Sequence, residues 1–277
     1  MARLVTPFVD CHTHSTFSPD SNMSVAEACH TAVQVGLGGM VLTDHYDFVA
    51  GSPFMFDFHE RAKQIEHARS LAPLSFKLLE GAELDYQPHL PDQIRTHVAA
   101  HPYDQIILSV HALERCFFNE PEFWPRYSCP ADMFRCYLEE VYNSIAQCDD
   151  FDIIGHIGVP QRYVPKPGAC MPYCDYREHL DAILALIIKK EKALEVNTSG
   201  LHAPLATTNK PLGFLLPDID VLARYHELGG TLITLGSDAH RTHSVGGSFA
   251  ETAAILKAIG FQRVAYFRQR QVCWIDL

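Results

Sequence analysis

The chain has 277 residues, of which 47% are hydrophobic and 20% charged, enough apolar content for a packed core and too little polar excess for disorder. Its 22 Lys and Arg against 33 Asp and Glu leave a formal charge of -11, which excludes a fold-wide cationic surface for gripping nucleic acid. The most apolar run, Ala182 to Ile188, is too short to span a bilayer, and Met1 to Asp10 carries no signal-type stretch. The nine Cys are scattered, with only Cys170 and Cys174 close together, and read mostly as reduced thiols of a cytoplasmic protein.

The elements alternate along the chain. Phe8 to His12 reads as a strand and ends in Asp10-Cys11-His12-Thr13-His14. Residues i and i+2 of a strand face one side, so two imidazoles there can reach one metal ion. Ser24 opens a helix, with Glu27 three residues on in a capping-box pattern. Met40 to Thr43 is a second strand, followed by Asp44, which reads as a helix cap, and His45. A helix spans Phe58 to Leu71. Phe76 to Leu79 then runs extended towards Glu83. Gln105 to Val110, a strongly apolar β-branched run, delivers His111. The irregular stretch from Ala112 to Pro130 carries Phe117, Phe118, Phe123, Trp124 and Tyr127, which either line a site or cover one end of the fold.

A helix from Ala131 to Gln147 leads to a strand at Asp152 to Gly155, with His156 at its end. A helix from Asp175 to Lys192 precedes the strand Ala193 to Asn197, and a second long loop runs from Gly200 to Pro217. The helix Asp218 to Leu228, the strand Thr231 to Leu235 and the helix Phe249 to Ile259 complete the set, with Ser237-Asp238-Ala239-His240 after the last strand. Strands alternating with helices imply a mostly parallel sheet. About seven such units fit a closed or nearly closed barrel, the alternative being an open doubly wound sheet. Nothing marks a domain boundary, so residues 1–277 read as one domain.

The shared position of the polar groups carries the functional argument. Each sits at the C-terminal end of a strand, and in a parallel barrel those ends converge on the face that bears active sites. Imidazoles and carboxylates together suit zinc, manganese or iron, and there are too many for one ion. A carboxylate such as Glu83 can bridge two ions. His59, His67, His179 and His226 fall within helices and read as structural, whereas His243 lies close enough to the last motif to support a ligand.

Taken in order, DCHTHSTFSPD, LTDHYDF, GAELDY, ILSVH, IIGHIGVPQRY, LEVNTSG and LGSDAH resemble the polymerase and histidinol phosphatase (PHP) superfamily, and within it the histidinol-phosphatase branch. The resemblance runs from Val9 to about Gly260. It implies a distorted (βα)7 TIM-like barrel with a trinuclear centre of two to three divalent ions (Zn, Fe or Mn). Carried over by position, His12, His14, Glu83 and Asp238 hold a first ion. Glu83 bridges to a second, bound also by His111 and His156, and Asp20, His45 and His240 take a third. Asp20 enters through the resemblance alone. Arg162 falls where the family has a phosphate-contacting Arg. His202 stands where relatives often carry Arg, and Gly158 where they often carry Asp, two departures that bear on the substrate assignment.

The implied activity is hydrolysis of L-histidinol phosphate to L-histidinol and phosphate, in histidine biosynthesis, by attack of a metal-bridging hydroxide. Arg162, Asp238 and His240 carry catalytic roles, and Arg162 and His202 meet the substrate. The general acid is left open among a metal-bound water, an Asp and a His. The alternatives are a PHP phosphoesterase for a nucleotide or sugar phosphate and a non-catalytic PHP metal-binding module. An amidohydrolase-type enzyme is disfavoured because no lysine stands at a strand end suited to bridging metals. The expected partner is a small phosphorylated substrate, with neither nucleic acid nor membrane, and the oligomeric state is open.

Overall fold

The computed structural model describes residues 7–48, 52–165, 169–202 and 212–277. Part of the loop expected at Gly200 to Pro217 therefore lies outside the described residues. In chain order the elements are β1 (Val9–Thr13), α1 (Val25–Val35), β2 (Gly39–Leu42), β3 (His45–Tyr46), α2 (Phe58–Leu71), β4 (Lys77–Asp85), α3 (Pro91–Ala100) and β5 (Gln105–Ser109). There follow β6 (Ala112–Leu113), β7 (Cys116–Phe117), α4 (Pro130–Gln147), β8 (Ile153–Ile154), α5 (Arg177–Lys189) and β9 (Ala193–Asn197). The last are α6 (Ser199–His202), α7 (Ile219–Glu227), β10 (Ile233–Gly236), α8 (Phe249–Ile259), β11 (Arg263–Arg268) and β12 (Gln271–Asp276).

The helices start where local chemistry starts them. Ser24 and Glu27 form the reciprocal capping box of α1, and the carboxylates of Asp57 and Asp218 accept from Glu60 N and Val221 N to cap α2 and α7. Gly36 ends α1 in the left-handed conformation that suits glycine.

The strands order as β1-β2-β4-β5-β8-β9-β10-β11-β12, with β3 beside β4. Every pairing along this path is parallel except β11 with β12. β4 is long because it serves two neighbourhoods. Its first half pairs with β2, and its second half, from Gly81, lies between β3 and β5. Gly81 permits this passage, since a Cβ there would lie 2.8 Å from the Gln105 carbonyl oxygen and 2.9 Å from Val41 Cγ1. The strands are buried almost throughout, as parallel strands covered on both faces should be. One continuous core cluster draws on residues from Phe8 to Val264.

The sheet does not close into the expected barrel. β11 takes the edge of β10 that would otherwise be open to β1, pairing Thr234 with Ala265. β1 meets the segment after β10 through a single bridge, Thr13 to Ala239, flanked by backbone bonds from His14 N to Ala239 O (2.9 Å) and from Asp238 N to His12 O (2.8 Å). The architecture is a mixed α/β fold with a mostly parallel central sheet. The hairpin of β11 and β12 and the helix α3 are additions to the elements read from sequence.

Candidate metal centre

The nine candidate ligands come together at the C-terminal ends of the strands. His12 lies within β1 and His14 just beyond it, His45 opens β3, and Glu83 lies in β4. His111 follows β5 by two residues, His156 follows β8 by two, and Asp238 and His240 follow β10. Asp20 reaches them from the loop between β1 and α1. Asp238 sits at φ 53°, the left-handed region that Asp tolerates better than most residues, and this turns its carboxylate inward.

Glu83 is the hub. Its Oε1 faces His156 Nε2 at 2.8 Å, His111 Nε2 at 3.2 Å and Ser109 Oγ at 2.6 Å. Its Oε2 faces His45 Nδ1 at 2.9 Å, His12 Nε2 at 3.1 Å and His14 Nε2 at 3.5 Å. A carboxylate offers about four lone-pair sites, so these six groups exceed what it can serve. Imidazole nitrogens also meet head-on, His12 Nε2 with His14 Nε2 at 3.1 Å and His111 Nε2 with His156 Nε2 at 3.2 Å. Converging lone pairs of this kind are satisfied by cations. Four triads place their ligand atoms within 4.8 Å of one another: His12, His14 and Glu83; His45, Glu83 and His111; His14, His45 and His240; and His12, His156 and Asp238. Asp20 lies outside these triads but reaches His240 Nε2 at 3.3 Å and His45 Nε2 at 3.6 Å.

The electrostatics follow from this crowding. Burial pushes the Glu83 carboxyl up, but the imidazoles of His12, His111 and His45 overcome it and hold it well below the usual range. Asp238 is likewise held low against burial, chiefly by Arg162 and His12. Burial and the neighbouring His240 and His45 bring His14 down to about 3. Burial pulls His45 and His111 down too, yet the Glu83 charge lifts both to about 10, aided by Asp20 and Asp85 respectively.

A cavity of about 580 Å³ opens over the cluster, lined among others by Asp20, His45, His111, His156, Asp238 and His240. Arg162 lies in its wall. Nη1 binds Asp238 Oδ2 at 2.9 Å, while Nε and Nη2 are buried and unpaired among the described residues. Phe117 and Phe118 line the cavity, whereas Phe123 lies in the core and packs on Trp124 and Tyr127.

His202 is not among the lining residues. It sits at the end of α6 with Nε2 3.5 Å from Thr198 Oγ1. Gly158 takes φ 104°, where a glycine is at ease, and donates its N–H to Tyr137 Oη at 3.1 Å. His59, His67 and His243 are exposed, and His226 packs on Phe261.

Asp44 is not a helix cap. It is fully buried and accepts from Ser15, Ser18 and Arg61 behind the cluster. Sequence reading also passed over Glu195 and Asp85. Glu195, in β9, takes His12 Nδ1 at 2.6 Å and His156 N at 2.5 Å, and Asp85 lies 3.4 Å from His111 Nδ1. Carboxylates behind metal-binding imidazoles fix their tautomer and direction. A charged residue inside the otherwise apolar run of β9 was the available signal for Glu195.

Fold and cluster together define a multi-metal hydrolytic centre at the strand ends of an α/β protein. The PHP domain model matches residues 10–199, and the chain belongs to that family. It is 28% identical to a histidinol-phosphatase of Lactococcus lactis over 261 residues, 94% of each chain. It is also 28% identical to a probable histidinol-phosphatase of Thermotoga maritima, over 93% of this chain and 94% of that one. The crystal structure of the L. lactis histidinol phosphate phosphatase complexed with zinc, L-histidinol and phosphate superposes with a TM-score of 0.84 at 26% identity, covering 96% of this chain and 98% of that one. A putative histidinol phosphatase from Listeria monocytogenes shares the fold, with a TM-score of 0.73 at 21% identity over 88% and 99%.

Proposed function

We propose that this chain is a metal-dependent phosphomonoesterase that hydrolyses L-histidinol phosphate to L-histidinol and phosphate, in histidine biosynthesis. The observation that carries this reading is the convergence of six imidazoles and three carboxylates on one cavity, in a chain alike end to end to an enzyme of that name. We read residues 1–277 as one domain, on the continuous core, its seven strand–helix units arranged as a distorted barrel that stays open between β1 and β10. The enzyme is taken to be cytoplasmic; no helix among the described residues is long and apolar enough to cross a membrane.

The residues fit two to three divalent ions. Glu83 Oε2 is buried with three imidazole nitrogens within 3.5 Å, none of them aligned for a hydrogen bond to it, and this surplus of nitrogens is the donor set that zinc, iron or manganese takes. His12, His14, Glu83 and Asp238 would hold one ion, Glu83, His111 and His156 a second, and Asp20, His45 and His240 a third. Bound ions supply an acidified water and positive charge against the phosphoryl oxygens.

The chain's own groups do the rest. Arg162, with Nη1 on Asp238, has its Nε and Nη2 donors buried beside the cavity and without a partner among the described residues, and a small turn of the guanidinium would bring that edge to two phosphate oxygens, the bidentate geometry a guanidinium is built for. Asp238 thus links the cluster to the phosphate site and fixes that fork. His240 donates from Nδ1 to the Asp238 carbonyl at 2.9 Å, which turns Nε2 towards Asp20. The cavity wall of Phe54, Phe117 and Phe118 excludes water from the ester.

His202 does not line the cavity, though the charges of Asp238 and Arg162 reach it, and a His where relatives often carry Arg leaves as the rival reading a PHP phosphoesterase for another small ester. The test is phosphate release from L-histidinol phosphate beside a panel of nucleotide and sugar monophosphates, with metal content measured on the same sample. Selective turnover of histidinol phosphate with two to three metals per chain supports the reading. Faster turnover of another ester moves the substrate. No turnover with a loaded site refutes the enzyme.

A further inference from the structure

Behind His14 runs a line of buried polar groups that the reaction as described does not use. Arg61 projects from α2 and is fully buried. Its guanidinium lies 4.0 Å from the Phe56 ring centre, donates from Nη2 to the Gly81 carbonyl at 2.5 Å, and donates from Nη1 to Asp44 Oδ2 at 3.2 Å. Asp44 is surrounded by donors. Oδ1 accepts from Ser15 N at 2.6 Å and from Ser18 Oγ at 3.1 Å, and Ser15 Oγ lies 3.0 Å from each oxygen. Both carboxylate oxygens are thus occupied as acceptors.

Ser18 has one proton to give and two lone pairs to fill. Its Oγ meets three groups: Asp44 Oδ1, the backbone N–H of His45 at 3.0 Å, and His14 Nδ1 at 3.1 Å. The His45 N–H can only donate. Asp44 can only accept, so it takes the hydroxyl proton. The last contact closes only if His14 Nδ1 carries a proton and donates it to Ser18. In the neutral ring His14 Nε2 is then a bare lone pair, and Nε2 is the atom that faces Asp238 at 3.3 Å, Glu83 at 3.5 Å and His12 at 3.1 Å.

We infer that Arg61, Asp44 and Ser18 are positioning residues that lock His14 in the Nδ1–H tautomer and so present Nε2 to a metal ion. The role in metal binding rests on the proposed function; the tautomer itself does not. Arg61 fixes the polarity of the line, because a guanidinium accepts nothing and forces Asp44 to face it with an oxygen. An Asn in place of Asp44 has one oxygen for Arg61 Nη1 on one side and for Ser15 N and Ser18 on the other; with that oxygen kept on the buried guanidinium, its NH2 meets Ser15 N donor to donor and faces Ser18. Ser18 then accepts that N–H, its own proton is free for His14 Nδ1, and the tautomer inverts so that Nε2–H points at the metal position.

The experiment is 15N NMR of the histidine rings in the metal-free protein, with zinc affinity by chelator competition, for wild type, Asp44→Asn and Ser18→Ala. Wild type is expected to show His14 protonated on Nδ1. Asp44→Asn, folded by circular dichroism, should show protonation on Nε2 and zinc binding weakened about 10- to 100-fold. Ser18→Ala should populate both tautomers and lose less affinity. If Asp44→Asn does not fold, Ser18→Ala decides, and a tautomer unchanged from wild type there overturns the proposal. So does a wild-type ring protonated on Nε2, or an inverted tautomer with undiminished affinity. A wild-type Nδ1–H ring in a protein that takes up no zinc upholds the lock and refutes the metal centre.

Discussion

Glu195→Gln is the sharpest test of how the cluster is held. Glu195 Oε1 meets His12 Nδ1 at 2.6 Å and Asn197 Nδ2 at 3.1 Å, while Oε2 takes His156 N at 2.5 Å. Both oxygens are acceptors, and two of the three partners sit on candidate ligands. A glutamine of the same shape has one oxygen and one NH2, so one side must meet a donor with a donor. If the NH2 faces His156 N, a buried backbone donor loses its partner. If it faces His12, the imidazole must shed its Nδ1 proton and turn Nε2–H into the cluster. Losing a charge-assisted bond costs about 1.5–3 kcal/mol and leaving a buried donor unpaired about 1–3 kcal/mol, so roughly 3–5 kcal/mol in all. At ~2–4 °C per kcal/mol for a chain of this size, the metal-free variant should melt roughly 6–20 °C lower. Zinc affinity should fall about 10- to 100-fold. There is no slack to absorb the change, because Gly236 packs on the Glu195 carboxylate and a Cβ there would lie 2.7 Å from His12 Cβ. Thermal melts and zinc competition on the same variant make the check. A melting temperature and an affinity both equal to wild type would refute the account of Glu195.

Arg162→Ala should lower kcat/KM on the phosphate ester by about 10²–10³-fold, and Arg162→Lys should recover only part of it, since an ammonium restores charge but not the fork; steady-state kinetics decide. Chelation should abolish turnover and lower the melting temperature, and re-addition of zinc or manganese at about 100 times Kd should return about 2.7 kcal/mol of stability, read by urea titration. His97 supplies a pH signature away from the metals. Burial, with the charges of His101 and Arg61, pushes its imidazole down to about 4, and its ring stacks on Tyr46 and binds Tyr103 Oη at 2.8 Å. With the folded value below the unfolded one of about 6.5, its contribution is full above pH 6.5 and is lost as pH falls towards 4. His97→Phe should therefore lose less stability than wild type between those limits, as measured by urea unfolding at several pH values.

Much of the site was legible because strand ends are legible. The runs before His45, His111, His156 and Asp238 are apolar and short, and a His or Asp breaking such a run stands out. Asp20 lacked that context and needed the resemblance. The groups behind the ligands were silent for a different reason. Ser18, Asp44 and Arg61 look like loop and helix-surface residues in sequence, and only the fold buries Arg61 completely against Phe56. α3 escaped because it buries little more than Ile94, too thin a stripe to set up a period. The β11–β12 hairpin escaped because it turns at Gln269 and Arg270, both at positive φ, where Asn-Gly is the usual signal, and because Arg263 and Arg268 dilute its apolar run.

That hairpin also explains how the barrel reading went astray. Seven strand–helix units are enough to bring the candidate ligands to one end of the sheet, since their positions depend on where each strand ends. Closure depends on which strand occupies the last free edge, and β11 occupies it through Thr234 and Ala265. β1 is left to join the segment after β10 through the one bridge of Thr13 and Ala239, immediately beside His12, His14, Asp238 and His240. The seam of the sheet therefore coincides with the richest part of the cluster. There the backbone is joined by two hydrogen bonds, from His14 N to Ala239 O and from Asp238 N to His12 O, rather than a full ladder, and Asp10 ties it down from within by accepting from Ser237 N at 2.9 Å and Gly246 N at 2.9 Å. Four of the nine candidate ligands lie across a joint of few backbone bonds, so bound ions would staple the seam as well as serve the reaction, and the stability they return on re-addition should be concentrated in β1 and the end of β10.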